Sequence, residues 1–389
     1  MMIGGAELQG IVWYFEEIDD PRSEINRRHL LVDVIVISIL GVIAGADGPL
    51  AIAMWAKMQE PWLREHLALP NGIPSRHTIG RVLQSLKPAA FQQCFAAWLA
   101  SLHESPSAVD TEEKEKPLRQ IALDGKCLRR SHAHGRGLGA MYLVSAWATD
   151  QGIALGQLAV EEKSNEITAI PQLLDQLDLA DAVVTIDAAG CQRNIADEIV
   201  AGGGDYVLAL KGNQETLHCD VTELFATLLK NDFGDTPVSR HEEHEQSHGR
   251  LEDRYYYQIA VPADFPRREK WTGLKTFGLA IRRSVSNGKE TLDHRYYISS
   301  LSRHGRRFAN CVRGHWSIEN KLHWVLDMTF REDESRVRER RLADNLGWLR
   351  RLALTLLKQH PGKQSIAMKR RLSGWSVNFL MQVLMSKAT

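Results

Sequence analysis

Cysteine is scarce in this chain of 389 residues, and the little there is does not cluster. The five residues, Cys94, Cys127, Cys191, Cys219 and Cys311, are odd in number, and no pair has the close spacing of a zinc knuckle or a redox motif. That argues against a disulfide-stapled secreted fold and for a reduced, cytoplasmic setting. Long apolar runs are lacking too. The longest, VIVISILGVIAGA at 34–46, covers 13 residues, well short of the roughly 20 a bilayer helix needs. It reads as a buried helix, and no membrane association is expected. The N-terminal stretch MMIGGAELQG has no basic segment followed by an apolar one, so no secretory signal is read there. Internal repeats and low-complexity segments are absent. Net charge is absent as well: 48 Lys and Arg balance 48 Asp and Glu.

What is present is unevenly distributed. Residues 301–389 hold 18 Lys and Arg against 7 Asp and Glu, so the remainder of the chain is acidic. A basic third on a neutral chain is the footprint of a phosphate-binding face, although a solvated helix surface would look the same. Apolar content of 44% and charged content of 25% are those of an ordinary globular protein. The length allows two or three domains with cores of their own.

Residues 1–102 read as a helical domain, with apolar positions at helical spacing over 30–46, 50–67, 75–86 and 89–103. Ser75 is placed to cap the helix RHTIGRVLQSL after the turn LPNGIP. That short helix carries Arg76, His77 and Arg81 and suits a DNA-reading element, though helical hairpins of this kind are commonplace. Residues 103–117, acidic and proline-containing, read as a linker. From 118 to 360 the pattern becomes α/β. QIALDGKCL, MYLVSAWAT, IALGQLAV, AVVTIDAAG and DYVLALKG are strand-like, with NEITAIPQLLDQL and RNIADEIVAGG as intervening helices. Residues 213–300 interrupt this alternation as a β-rich insertion, with Asn287 and Gly288 as a hairpin signal. Helix returns over about 305–358, and 361–389 read as a basic C-terminal tail.

Two aspartates interrupt apolar strands: Asp124 in IALDGK and Asp187 in VVTIDAAG. A carboxylate there is costly unless it is paired, hydrogen-bonded or bound to a cation. A helical crossover would let the two strands run parallel and adjacent, close enough to share a divalent cation. Each aspartate could instead cap a turn, since glycines follow both. The segment GHWSIENKLHWVLDMTFRED at 314–333 repeats His315, Glu319, His323 and Asp327 every four residues. Glu319 lies among apolar and aromatic residues and is the best third carboxylate; Asp327 is its rival. Glu332, Asp333 and Glu334 look like an exposed acidic run. Oxygen ligands favour Mg²⁺ or Mn²⁺. The His315/Glu319/His323 spacing is not the HExxH of a zinc site, and no second pair of soft ligands lies nearby. Lys126, Arg129 and Arg130 follow the first strand, and Lys211, Asn213 and Gln214 follow another, which suits a phosphate-bearing substrate.

The blocks LDGKCLRRS, EKSNEITAIPQLL, TIDAAGCQ, GGDYVLALKGNQ and HWSIENKLHWVLDMTFRED, with DPR…RRHLLVDVIVISILGVIAGADG and LPNGIPSRHTIGRVL before them, resemble a DDE-class insertion-sequence transposase of the H-repeat-associated group. The resemblance spans roughly residues 12–360. It implies an RNase H-like catalytic core with a β-rich insertion, preceded by the helical domain. It further implies that Asp124, Asp187 and Glu319 form the catalytic triad and hold two ions of Mg²⁺ or Mn²⁺, about 3.5–4 Å apart in such sites. Double-stranded DNA is the implied partner, as terminal inverted repeats and as target, with a homodimer on paired ends. The implied setting is bacterial and cytoplasmic, on the nucleoid when DNA-bound. The wider superfamily often carries Tyr, Arg and Lys at fixed offsets around the glutamate; here those positions are Val312, His315 and Leu326. Arg313, His315, Trp316 and His323 are the expected DNA-contacting substitutes, beside Lys126, Arg129, Arg130, Lys211, Asn213 and Arg76; His315 and His323 fall either beside the scissile phosphate or around the glutamate, shaping its surroundings. A nuclease that cuts without joining and a non-catalytic DNA-binding relic are the alternatives.

Overall fold

Burial, rather than intrinsic propensity, makes the first helices. The computed structural model describes residues 5–103, 119–132, 139–160, 166–247, 250–286 and 288–386. It opens with α1 (Gly5–Glu16), α2 (Leu31–Ile43), α3 (Pro49–Met58), α4 (Glu60–Leu63), α5 (Arg76–Ser85) and α6 (Pro88–His103). In α2, LVDVIVISILGVI, every residue but Val32 is buried. Its many β-branched side chains are only fair helix formers. Burying each is worth about 1.5–3 kcal/mol, which outweighs the propensity deficit. Helix α5 begins where expected, with the Ser75 hydroxyl accepting the Thr78 N–H at 3.2 Å. Residues 104–117 of the expected linker lie outside the described residues.

The strand–helix alternation then builds one mixed sheet. Its elements are β1 (Arg119–Leu128), β2 (Met141–Ala148), β3 (Ile153–Val160), α7 (Glu166–Leu174), β4 (Ala182–Ile186), α8 (Arg193–Ala201), β5 (Asp205–Leu210), α9 (Glu215–Lys230), β6 (Val238–Ser247), β7 (Arg250–Ala260), β8 (Thr276–Ser286) and β9 (Lys289–Ser299). The strand order is β3-β2-β1-β4-β5-β9-β8-β7-β6. β1 pairs parallel with β4, and β4 with β5; the remaining pairs are antiparallel. This is the expected RNase H-like α/β core. The β-rich segment does not stand apart, because β9 pairs with β5 and continues the same sheet. Two elements of that segment escaped the sequence pattern. Helix α9 opens it, and β6, VSRHEEHEQS, has one apolar residue in ten. A charged strand suits its place at the sheet edge, where it discourages pairing with another chain. Gly288, at φ +73°, supplies the left-handed position of the β8–β9 hairpin.

The chain ends in helices: α10 (Gly305–Ile318), a π-helical turn at Glu319–His323, α11 (Trp324–Phe330), α12 (Arg340–Gln359), α13 (Ile366–Trp375) and α14 (Val377–Met385). Ile318, Leu322, Leu326 and Phe330 share one buried core with α2, α5, α12 and α14. The first helices and the last therefore enclose a common interior. Two expectations are corrected here. The supposed basic tail is largely α13 and α14. Several cations counted towards a basic face are internal: Arg350, Arg351, Lys369 and Arg370 are all buried. Arg370, for example, donates to Asp47 Oδ1 and to the Thr329 carbonyl, both at 2.7 Å. Among the described residues no helix is long and apolar enough to cross a membrane.

Candidate active site

The parallel pairing of β1 with β4 sets the two strand aspartates side by side. Their last aligned pair is Leu123 with Ile186, and Asp124 and Asp187 are the next residues on each strand. Residues level in a parallel ladder project to the same face. Both aspartates line a cleft of about 330 Å³ together with Lys211, His315, Trp316 and Glu319. Asp187 Oδ1 also accepts the N–H groups of Ala189 and Gly190, at 3.0 and 3.4 Å. The turn-capping role and the cleft position belong to the same residue, whose carboxyl group is exposed.

Helix α10 crosses this face at very short range, and Gly314 is the reason it can. A Cβ on Gly314 would lie 2.0 Å from the Gln120 amide oxygen of β1. Gln120 is itself buried, with its Nε2 donating to Thr185 Oγ1 at 3.1 Å and to the Cys311 carbonyl at 2.7 Å. Past Ile318 the helix widens into the π turn. That turn carries Glu319 outwards and His323 inwards, with Glu319 exposed and His323 buried. π-Turns inside α-helices occur often at functional sites.

His323 Nδ1 lies 3.3 Å from Asp124 Oδ2 and 3.2 Å from Glu319 Oε2, so its N–H is shared between two carboxylates. The ligand-type atoms of Asp124, Glu319 and His323 all fall within 4.8 Å of one another, a group able to hold a metal ion. Burial disfavours a charged His323, yet the hydrogen bonds to Asp124 and Glu319 outweigh it and raise the imidazole pKa. For Asp124, burial pushes upwards, but the His323 hydrogen bond, the charges of His323 and His315 and the Gly125 N–H together lower it. Glu319 is lowered first by its hydrogen bond with His323. His315 is pushed down by burial, and its Nδ1 lies 3.2 Å from Thr185 Oγ1.

The other expected contact residues divide. Lys211 is exposed at the cleft, and Arg129 and Arg130 are exposed beyond β1, Arg129 with its Nε 3.2 Å from Asp333 Oδ2. Trp316 lines the cleft with the Arg295 guanidinium stacked 4.1 Å from its ring centre. Arg76 is exposed on α5 and is not among the residues lining the cleft. One assignment is corrected: Lys126 is buried and ion-paired with Asp327 and Glu332, so its ammonium is not free for a phosphate. Of its two expected places, His323 takes the one that shapes the surroundings of Glu319, enclosed within the carboxylate group. Asn213 donates to the Ala188 carbonyl at 2.5 Å and so braces the turn after Asp187. Arg313 is engaged by Glu243 and Glu245. Asp327, the rival carboxylate, is held by Lys126 and stands outside the metal-capable group.

Sequence reasoning missed two further acids. Glu332 belongs to the run that looks exposed but is fully buried, with Lys126 and Arg351 each 2.9 Å away. Burial would push its pKa up, but Arg351, Lys126 and Arg350 reverse that and hold it well below the usual carboxylate range. Glu166 packs on Gly125 so closely that a Cβ there would sit 2.6 Å from its carboxyl. With Asp124 and Asp187 it lines a small crevice. Its one sequence signal is an acid at a helix N-terminus.

Residues 12–99 match the family model described as DDE_Tnp_1-associated, and residues 115–356 match the one described as Transposase DDE domain. The protein YncI of Escherichia coli O157:H7 is 37% identical over 385 residues, covering 97% of this chain and 95% of that one. The H repeat-associated protein YhhI of Escherichia coli (strain K12) is 35% identical over 387 residues, covering 97% and 98%. Both carry transposase names. A solved structure, a piggyBac transposase synaptic complex with hairpin DNA, aligns over 98% of this chain and 77% of that chain at 10% identity and a TM-score of 0.38. At that distance the likeness bears no weight.

Proposed function

Because the chain belongs to the family of transposases with a DDE domain, we propose that it binds the ends of an insertion sequence and catalyses metal-dependent strand cleavage and strand transfer, with Asp124, Asp187 and Glu319 as its triad. The observation that carries this reading is the convergence of three distant segments. Asp124 and Asp187 extend neighbouring parallel strands, and the ligand atoms of Asp124 and Glu319 meet around His323 within 4.8 Å. The carboxylate oxygens suit Mg²⁺ or Mn²⁺, and His323, whose Nδ1–H goes to both carboxylates, supports them as a hydrogen-bond donor. Bound there, two such ions would supply a nucleophile near neutral pH and neutralise charge on the phosphate.

The chain's own groups bind and orient. The shared N–H of His323 draws the Asp124 and Glu319 carboxylates towards one point. The backbone N–H groups of Ala189 and Gly190 fix Asp187, and Asn213 braces that turn. Lys211, Arg129 and Arg130 are exposed cations at strand ends that suit the phosphates flanking the scissile bond. His315, kept neutral by burial, offers a polar wall without added charge. In-line attack by water breaks a P–O bond and leaves a 3′-hydroxyl, which then attacks target DNA. For both displacements the protein's work is positioning and charge neutralisation.

The test is incubation of purified protein with Mg²⁺ or Mn²⁺ and labelled DNA carrying the element's terminal inverted repeats. Strand-transfer products are expected. Cleavage without joining would make the protein a nuclease, and binding alone would make it a non-catalytic relic.

A further inference from the structure

We infer that the buried ion network of Lys126, Asp327, Glu332 and Arg351 positions the carboxylates of the site, setting the separation of Asp124 from Glu319; this rests on the functional reading above. Each link of the network ends beside a residue of the site. Lys126 lies two residues past Asp124 on β1, so the two side chains leave the same face of the strand. Its ammonium pairs with Asp327 of α11, the helix that continues directly from the Glu319–His323 turn. The same ammonium reaches Glu332 Oε2 at 2.9 Å. Glu332 Oε1 takes Arg351 Nη1 of α12, also at 2.9 Å. Arg351 Nε in turn donates to Ser145 Oγ at 3.3 Å, and Ser145 is the direct partner of Asp124 across the β1–β2 ladder. Strands β1 and β2 and helices α11 and α12 are thereby tied together around one carboxylate.

Stability alone is a poor explanation for such a network. Burying ion pairs carries a desolvation cost that well-packed apolar groups avoid, and exchanging one for the other is often neutral or stabilising. What charged pairs supply, and apolar packing does not, is fixed distance and direction, which a metal-holding site requires of its supporting shell.

The test is titration of the full-length protein with Mn²⁺ alone, without DNA, following loss of the free-ion paramagnetic signal. Removing outer-shell partners costs about 10–100-fold in metal affinity, and Glu332→Gln is expected in that range. Asp327→Asn is expected to weaken Mn²⁺ binding at the lower end of that range, about 10-fold. Asp124→Asn is the reference and must lose Mn²⁺ binding. If it does not, the functional reading fails, whatever Glu332→Gln shows. Glu332→Gln with wild-type Mn²⁺ affinity but a lower melting temperature would overturn the inference, leaving the network as structural support only. Should Glu332→Gln not fold, Asp327→Asn decides, because that carboxyl is partly exposed and its loss is tolerable: unchanged affinity there overturns the inference equally.

Discussion

Asp124 and Lys126 stand two residues apart on one strand, and Glu319 and Asp327 lie on one continuous helical stretch, yet the four side chains end in two different charge environments. The first is open. The Glu319 side chain is 66% exposed, and a single imidazole serves two carboxylates. The second is closed. Glu332 and Arg351 have no exposed side-chain surface, and the acids face Lys126, Arg350 and Arg351. The acids of this segment differ in whether a cation of the chain already answers them. Asp327 and Glu332 are answered within the fold. Asp124, Asp187 and Glu319 border a cleft with only partial compensation, which is the condition under which a carboxylate binds an external cation.

Substitutions should separate the two environments. The largest effect is expected in the open group: Asp124→Asn, Asp187→Asn and Glu319→Gln should each reduce cleavage of inverted-repeat DNA by about 10³-fold or more. Gel-shift affinity measured without metal should be nearly unchanged. Normal cleavage by Glu319→Gln would move the role to Asp327 and place the working carboxylate in the closed group.

In the closed group, Glu332→Gln leaves buried cations uncompensated and should cost about 3–5 kcal/mol of stability in denaturant unfolding. Its pH dependence follows from the lowered pKa. A carboxyl held below its unfolded value contributes stability that is complete above about pH 4.5 and lost as pH falls through the folded value. Wild-type melting temperature should therefore drop more steeply than that of Glu332→Gln between about pH 5 and pH 3.

Asp344 gives the opposite sign. Burial raises its pKa to about 6, despite the hydrogen bond from Gln157 and the charge of Arg351. Its ionised form is disfavoured in the fold, so its burden grows as pH rises from about 4 to about 6. Asp344→Asn should stabilise the protein near pH 7 by about 2–3 kcal/mol and have little effect near pH 3. Gly314→Ala would force a Cβ against the buried Gln120 amide and should cost about 1–3 kcal/mol. The displaced α10 should lower cleavage as well, linking packing to the open site. Smallest of all, Ser75→Ala removes a helix cap remote from both groups. It should cost about 1 kcal/mol in thermal unfolding and leave the metal dependence of cleavage unchanged.

Much of this arrangement was legible in the sequence, and the exceptions have physical causes. Asp124 and Asp187 were readable because a carboxylate closing an apolar strand violates the burial pattern, and the crossover between them dictates parallel neighbours. The approach of Glu319 to Asp124 was implied by the family resemblance rather than by its apolar surroundings, since its side chain is exposed at the cleft. The inward turn of His323 was not. The four-residue ladder assumes regular α-helix, and the π turn at 319–323 breaks that period. The burial of Glu332 was hidden because its partner Lys126 lies 206 residues away, so local polarity alone suggested solvent. The count of basic residues overstated the exposed charge for the same reason: Arg350, Arg351, Lys369 and Arg370 answer acids and carbonyls inside the fold. β6 stayed invisible because an edge strand of charged residues carries no alternation.

If Asp124, Asp187 and Glu319 hold the catalytic cation, anomalous scattering from crystals soaked in Mn²⁺ will locate it among them. A manganese peak coordinated by the carboxylates of Asp124 and Glu319, beside Asp187, is the predicted result. A peak at Asp327 or Asp333, or none in the cleft at saturating Mn²⁺, would contradict it.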